Sequence, residues 1–249
     1  MIHKLARLFY PYGAIRRVWR GPLRGTKFQV APGYGVTYAF GWEDLHLRAL
    51  DSFIKPGVTV FDIGANRGHI SLLFAKAVGN EGKVLAFEPI DDFRDIFDNH
   101  MTANRIENTE LVNGVLTNES GEVTFEFSNE HSTEGHIQGI GERPEDSEST
   151  LRKVMALTID DFVSERNTTP DFLKVDVEGA ARLVLEGAAL TLEKDGPDVF
   201  IELHGPEEQQ AVQDLLISNG YVARNLEGQV VTDATVGWNS PLICRREKQ

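Results

Sequence analysis

The sequence predicts an α/β protein built on a doubly wound, mostly parallel sheet, and three stretches carry that prediction. Val58, Val60, Phe61 and Ile63 form a short apolar, β-branched-rich run. Gly64-Ala-Asn-Arg-Gly68 follows it directly and residues 70–78 then read as a helix, which gives strand, tight turn, helix. A second strand, 83–87, is stopped by Glu88-Pro89, and a later one, 171–177, again leads into a helical stretch, 180–190. Strands alternating with helices are the pattern of a parallel sheet covered on both faces.

Taken in order, the chain begins with a basic arm. From residue 1 to 42 there are Lys4, Arg7, Arg16, Arg17, Arg20, Arg24 and Lys27 and no acid, interleaved with residues such as Leu8, Phe9, Tyr10, Tyr12, Ile15, Val18 and Trp19. That segment carries +7, so the rest carries −20 against a net charge of −13. Such an arm could lie on an anionic membrane surface or fold onto its own acidic domain. The acidic body is a poor match for DNA or RNA. Residues 25–31 and 34–40 read as two short strands around Pro32-Gly33, and 42–54 as a helix that lids a crevice, with His46 in a structural role. Residues 1–52 thus form arm, hairpin and lid, and 53–249 the main domain.

At the first turn, small residues allow the backbone to approach a ligand, and free N–H groups at the helix start favour a negative ligand group. The spacing Asp62-x-Gly64-x-Asn66-x-Gly68 differs from the dinucleotide fingerprint by placing a carboxylate inside the turn. That carboxylate would repel a pyrophosphate but suits a ligand bearing an ammonium and a sulfonium. Glu88 stands 26 residues beyond Asp62, at the carboxyl end of the second strand, where an acid can accept both ribose hydroxyls.

A helix is expected over 91–104, a third strand over 110–116, and an exposed or edge strand over 121–127. Residues 128–152 read as a long loop of the kind that borders a functional site, in which His131 and His136 are solvent-exposed. Thr158 caps a short helix over 158–163. The fourth strand then brings Asp176 and Glu178, flanking Val177, to the switch point beside the first strand. In the fifth strand, 198–204, Glu202 and His204 share one face. A helix over 207–218 and a terminal antiparallel hairpin complete the sheet.

With 41% hydrophobic and 25% charged residues, a chain of 249 residues is long enough for one large α/β core plus a modest extension. No run approaches the roughly 20 apolar residues that span a bilayer. Its single cysteine, Cys244, excludes an internal disulfide and any cysteine-cluster metal site. A cytoplasmic location, with contact to the membrane surface through the arm, is the expectation.

The strand-end motifs resemble the class I S-adenosylmethionine-dependent methyltransferases, and the set as a whole is similar to the FkbM-type family from about Phe53 to His204. The matching stretches are Val60-Phe-Asp-Ile-Gly-Ala-Asn-Arg-Gly68, Gly82-Lys-Val-Leu-Ala-Phe-Glu-Pro89, Asn104, Leu157-Thr-Ile-Asp160, Lys174-Val-Asp-Val-Glu-Gly-Ala180, Val184-Leu-Glu-Gly187 and Ile201-Glu-Leu-His204. The resemblance implies a seven-stranded Rossmann-like sheet, S-adenosylmethionine as cofactor and methylation of a hydroxyl on a sugar or secondary metabolite. Asp62, Gly64, Ala65, Asn66, Gly68, Glu88, Pro89 and Asn113 are the expected cofactor-binding residues. One departure is Ala181, where the family usually has Glu.

Methyl transfer to a hydroxyl requires alignment of oxygen, methyl and sulfur and removal of a proton. Asp176, Glu178, Glu202 and His204 are the candidates for that chemistry. His204 is the base with the best-matched pKa, near 6.5, and Asp176 or Glu178 could bind the acceptor or a divalent metal ion. A non-catalytic S-adenosylmethionine-binding module and a nucleotide- or nicotinamide-binding enzyme are the alternatives.

Overall fold

The computed structural model describes residues 10–31, 44–128, 135–140, 149–231 and 241–246. Ahead of the main sheet, β1 (Ile15–Arg17) pairs antiparallel with β2 (Lys27–Gln29). The expected partner for β2, residues 34–40, lies outside the described residues, and β2 finds its partner within the basic arm instead. The arm is a strand here because Arg16 and Val18 alternate with exposed Ile15 and Arg17, a half-buried pattern. Helix α1 (Asp44–Phe53) follows and buries Leu47 and Leu50.

The central sheet opens with β3 (Thr59–Ile63), whose last four residues are buried. Helix α2 (His69–Val78) leads to β4 (Lys83–Phe87), parallel to β3, and α3 (Asp91–Asn104) leads to β5 (Thr109–Val112), parallel to β4. The expected third strand is split: after Asn113-Gly114 the chain leaves β5 and β6 (Val115–Leu116) joins another sheet. Gly114 makes that departure possible, since a Cβ there would lie 2.8 Å from the Met155 carbonyl oxygen.

That other sheet has the order β6-β9-β7-β8, with β7 (Gly121–Ser128), β8 (Gly135–Ile137) and β9 (Ser149–Leu157). Residues 121–127 are therefore an interior strand flanked on both sides, not an edge. Much of the expected long loop is strand: β9 pairs with β7 along eight residue pairs from Gly121↔Ala156 to Ser128↔Ser149. Its charge-rich run at Arg152-Lys153 concealed it, because only Val154 and Ala156 turn fully inward.

Helix α4 (Ile159–Arg166) starts as expected, with Thr158 Oγ1 accepting the Asp161 N–H at 2.9 Å. Strand β10 (Phe172–Val175) then crosses to the other side of β3, which creates the switch point. The helix expected over 180–190 is two, α5 (Ala181–Glu186) and α6 (Ala189–Lys194). The break arises because the Asp160 carboxylate accepts the N–H groups of Leu190 and Thr191, giving α6 its own start. Strand β11 (Asp198–Ile201) is followed by α7 (Pro206–Ala211), which continues through a π turn at Val212–Leu216 and a 3₁₀ turn at Ile217–Asn219. The sheet closes with β12 (Tyr221–Arg224) and β13 (Leu242–Arg246), both antiparallel to their neighbours.

The resulting order is β12-β13-β11-β10-β3-β4-β5, a mostly parallel seven-stranded α/β sheet as the sequence predicts. Alternation along each strand divides the core. Phe61, Ile63, Leu173, Val175 and Phe87 face α4 to α7, whereas Val60, Val84, Ala86, Phe172 and Phe200 face α1 to α3. Val18, Leu23, Phe28 and Val30 from the arm join the second cluster. Among the described residues, no helix is long and apolar enough to cross a membrane.

Candidate active site

All parallel strands present their carboxyl ends to one crevice, a cavity of about 430 Å³. That size falls in the roughly 300–1,000 Å³ range of small-molecule clefts. Its floor is the turn after β3. Gly64 has φ +76°, and a Cβ on it would lie 1.9 Å from the Asp176 carbonyl oxygen, so only glycine lets the ends of β3 and β10 meet. Gly68 has φ +77° and sits so close to the Phe97 ring that a Cβ would be 2.5 Å from it; it packs α2 against α3 and does not line the cavity. Ala65, Asn66, Glu88 and Pro89 do line it.

Glu88 is built into this floor. One carboxylate oxygen accepts the Asn66 N–H at 2.9 Å and the other the Ile90 N–H at 2.8 Å, which fixes it at the second strand's end. Burial pushes its pKa up to about 7, against the opposing pull of those two N–H groups, Lys174 and Arg67.

Asp62 departs from the expectation. It is wholly buried and absent from the cavity lining, because its carboxylate is engaged behind the turn. The Ser71 hydroxyl donates to it at 2.5 Å and the Lys174 ammonium lies 3.3 Å away. Asn113 also misses the cavity: it is exposed at the point where the chain leaves β5, and Gly114, Val115 and Leu116 supply that wall.

Lys174, central in buried β10, ties the crevice together. Its ammonium donates to the Gly64 carbonyl at 2.9 Å and pairs with Asp176 at 3.1 Å. Burial disfavours its charge, but Asp176, Asp62 and Glu202 outweigh that and hold its pKa above the ordinary value. Burial likewise works against ionised Asp176, yet Lys174 and then His204 keep its pKa well below the carboxylate range.

At the other end stand the four predicted catalytic candidates, all in the cavity lining. The His204 ring lies between two carboxylates, Nε2 3.2 Å from Asp176 and Nδ1 3.3 Å from Glu178. The Asp176 hydrogen bond, partly offset by burial and aided by the charge of Glu178, raises its pKa to about 9. His204 is therefore an imidazolium at neutral pH, not the neutral base of pKa 6.5 that its sequence context suggests. His46 lines the cavity 3.8 Å from Glu202, and burial, more than the opposing charge of Asp176, lowers its pKa. Asp176, Glu202 and His204 also present ligand atoms within 4.8 Å of one another, a donor set that could hold a metal ion.

Two groups of contributors were not singled out in the sequence. Glu208, on α7, is buried and accepts the His204 N–H at 2.5 Å and the Ala181 N–H at 3.0 Å. Nothing in the solvated-looking run Glu207-Glu208 signals this, whereas a lysine at 174 between apolar strand residues is a signal that a buried cation needs partners. Ala181, lacking the family's Glu side chain, is fully buried, and a carboxylate reaches its backbone from Glu208 instead. The second sheet supplies the far wall through Phe125, His136 and Ile137, so His136 is a half-buried lining residue because β8 folds over the crevice. His131 lies outside the described residues.

Against known proteins, the family model described as the Methyltransferase FkbM domain matches residues 62–223. Protein-L-isoaspartate O-methyltransferase 1 of Arabidopsis thaliana is 36% identical over 61 residues, 24% of this chain and 26% of that protein. The match thus spans about a quarter of that relative's length. A putative rRNA-methylase structure from Clostridium thermocellum superposes with a TM-score of 0.50 at 12% identity, covering 82% of this chain and 95% of that one. A methyltransferase FkbM structure from Methylobacillus flagellatus gives 0.49 at 16% identity, covering 76% of this chain and 43% of that one.

Proposed function

Since the chain belongs to the FkbM methyltransferase family, we propose that it is an S-adenosylmethionine-dependent methyltransferase acting on a hydroxyl of a sugar or secondary metabolite. The observation that carries this reading is the placing of His204 between Asp176 and Glu178 in the same cavity as Glu88. S-Adenosylmethionine supplies an activated methyl group on a sulfonium. Glu88, held by two backbone N–H groups, still has lone pairs to accept the ribose hydroxyls. Asn66 and Ala65 frame the turn beside it, and Gly114 to Leu116 provide the surface for the adenine.

Asp176, Glu178, Glu202 and His204 surround the acceptor end. Glu178 and Glu202 accept hydrogen bonds from acceptor hydroxyls and orient one of them toward the methyl group. His204 takes that hydroxyl's proton as the C–O bond forms and the methyl carbon's bond to sulfur breaks, leaving a neutral thioether, and Asp176 stabilises the imidazolium that results. The base must first be neutral, and a cation sharing the cavity makes the His204 proton easier to lose. Asp176, Glu202 and His204 could instead hold a metal ion, which would supply acidification of a bound hydroxyl.

The test is release of S-adenosylhomocysteine with a panel of hydroxylated acceptors, alongside calorimetric titration of the cofactor. His204→Ala and Glu178→Ala should bind S-adenosylmethionine as the wild type does, while turnover falls, for His204 by about 10²–10⁴-fold. Unchanged turnover in both variants rejects the assignment. Activity that disappears with chelator and returns with a divalent cation selects the metal route. Binding of the cofactor with no acceptor turned over across the panel would favour a binding module.

A further inference from the structure

We propose that the outward face of the β1–β2 hairpin docks on an anionic lipid bilayer. The inference rests on the hairpin alone and stands apart from the methyl-transfer reading. In an antiparallel pair, opposed residues share a face and successive residues alternate. Arg16 opposes Phe28, and this face, continued by Val18 and Val30, packs into the main core with Leu72, Phe97 and Met101. Ile15 opposes Gln29 and Arg17 opposes Lys27 on the other face.

That second face is unusual for a water-exposed surface. On it Ile15 is 42% exposed beside exposed Arg17, and the chain flanking β1 adds Tyr12 at 51%, Trp19 at 66% and exposed Arg20 and Arg24. Residues 10–31 hold five basic residues and no acid. The two readings of the arm, self-docked or membrane-facing, therefore belong to its two sides. The outer edge of β2 is fixed to α3: Lys27 N–H donates to Asn104 Oδ1 at 2.8 Å, Asn104 Nδ2 returns a bond to Lys27 O at 2.6 Å, and Gln29 N–H donates to His100 Nε2 at 2.7 Å. The exposed aromatics are thus held on a prearranged surface.

Aromatic rings among arginines suit the headgroup boundary of a bilayer, where rings enter the interface and cations meet anionic lipid. Charge also orients the molecule. The chain beyond residue 42 carries −20 and is repelled by an anionic surface, so the basic hairpin must lead. A polyanionic RNA would share the charge attraction, but it offers no apolar layer for Ile15.

The experiment is co-sedimentation of the full chain with phosphatidylcholine vesicles, with and without phosphatidylserine. Binding is expected only with phosphatidylserine, and it should fade as the Debye length falls from about 10 Å at 0.1 M salt to about 3 Å at 1 M. Arg20→Gln/Arg24→Gln should weaken it about tenfold or more. Tyr12→Ser/Trp19→Ser, which keeps every charge, should also weaken it severalfold. Both pairs are surface changes, so melting temperature and cofactor affinity should stay at wild-type values. No binding to phosphatidylserine vesicles at low salt overturns the proposal. So does loss in the arginine variant alone together with equal binding to a single-stranded RNA, which would make the surface a general polyanion site.

Discussion

The two ends of the crevice are built from different materials. At the Glu88 end, position is set by backbone: a glycine turn that allows two strand ends to touch, and two N–H groups that grip one carboxylate. At the His204 end, position is set by charge, with Asp176, Glu178 and His204 in direct ion pairs and Lys174 beneath them. The difference teaches where each end is vulnerable. Backbone contacts survive most side-chain changes nearby, whereas coupled charges pass the loss of one partner to the next. Lys174 belongs to both ends, because one ammonium holds the Gly64 carbonyl and the Asp176 carboxylate.

The largest effect should therefore come from removing that link. Lys174→Met leaves wholly buried Asp62 without its cation and Asp176 with His204 alone, and breaking a buried pair costs about 3–5 kcal/mol. Urea unfolding should show that loss, and calorimetry should show weakened cofactor binding as the Gly64 turn loosens. Lys174→Met/Asp62→Asn, which removes one of the stranded charges, should recover part of the stability. A single variant as stable as the wild type would mean that the two ends are held independently.

A smaller effect separates the ends by pH. His204 has a folded pKa near 9, raised first by the hydrogen bond it donates to Asp176. If it is the base, kcat/KM, which reports the free enzyme, should rise with pH through a limb near about 9. The kcat limb should lie lower, since a cation then shares the cavity. Glu178→Gln removes one carboxylate that favours the imidazolium and should move both limbs down. The same shift bears on folding. Because the folded pKa exceeds the unfolded value, His204 contributes stability fully below about pH 6.5, and that contribution is lost as pH rises through about 9. The stability gap between wild type and His204→Ala should therefore narrow across that window. A gap that widens there would mean that the ring is neutral in the fold.

The same contrast explains what could be read from sequence. Features set by local chain geometry were legible: the strand and turn at 59–68, Glu88 at a strand end and the Thr158 cap; β11 ends at Ile201, short of the expected 204, so Glu202 and His204 meet in the cavity from the segment that follows it. Features set by which partner a side chain finds were not. Asp62 looks like a ligand group in one dimension and is a buried partner of Lys174 and Ser71 in three. Glu208 reaches His204 only because α7 folds back over the end of β11. Strand β9 hid its period behind Arg152 and Lys153, since its outer side faces water. His204 could be placed near the carboxyl end of β11 but not titrated, because its pKa depends on two carboxylates that follow β10.

The smallest predicted effect tests the backbone-built end. Glu88 has its pKa raised by burial from the ordinary 4.5 to about 7. Only its carboxylate form offers the ribose both oxygens as acceptors. Cofactor affinity should therefore climb as pH rises from about 6 to about 8, by at most about tenfold per pH unit, and this slope should vanish in Glu88→Gln. Stability should move the other way. Between pH 4.5 and about 7 the folded state binds more protons at Glu88 than the unfolded state, so stability from this group declines as pH rises through that window. Glu88→Gln should remove that decline while binding cofactor more weakly, even though one of the two backbone N–H groups loses its oxygen acceptor. A variant that keeps both the affinity slope and the stability slope would mean that another group sets them, and that Glu88 is only a brace between Asn66 and Ile90.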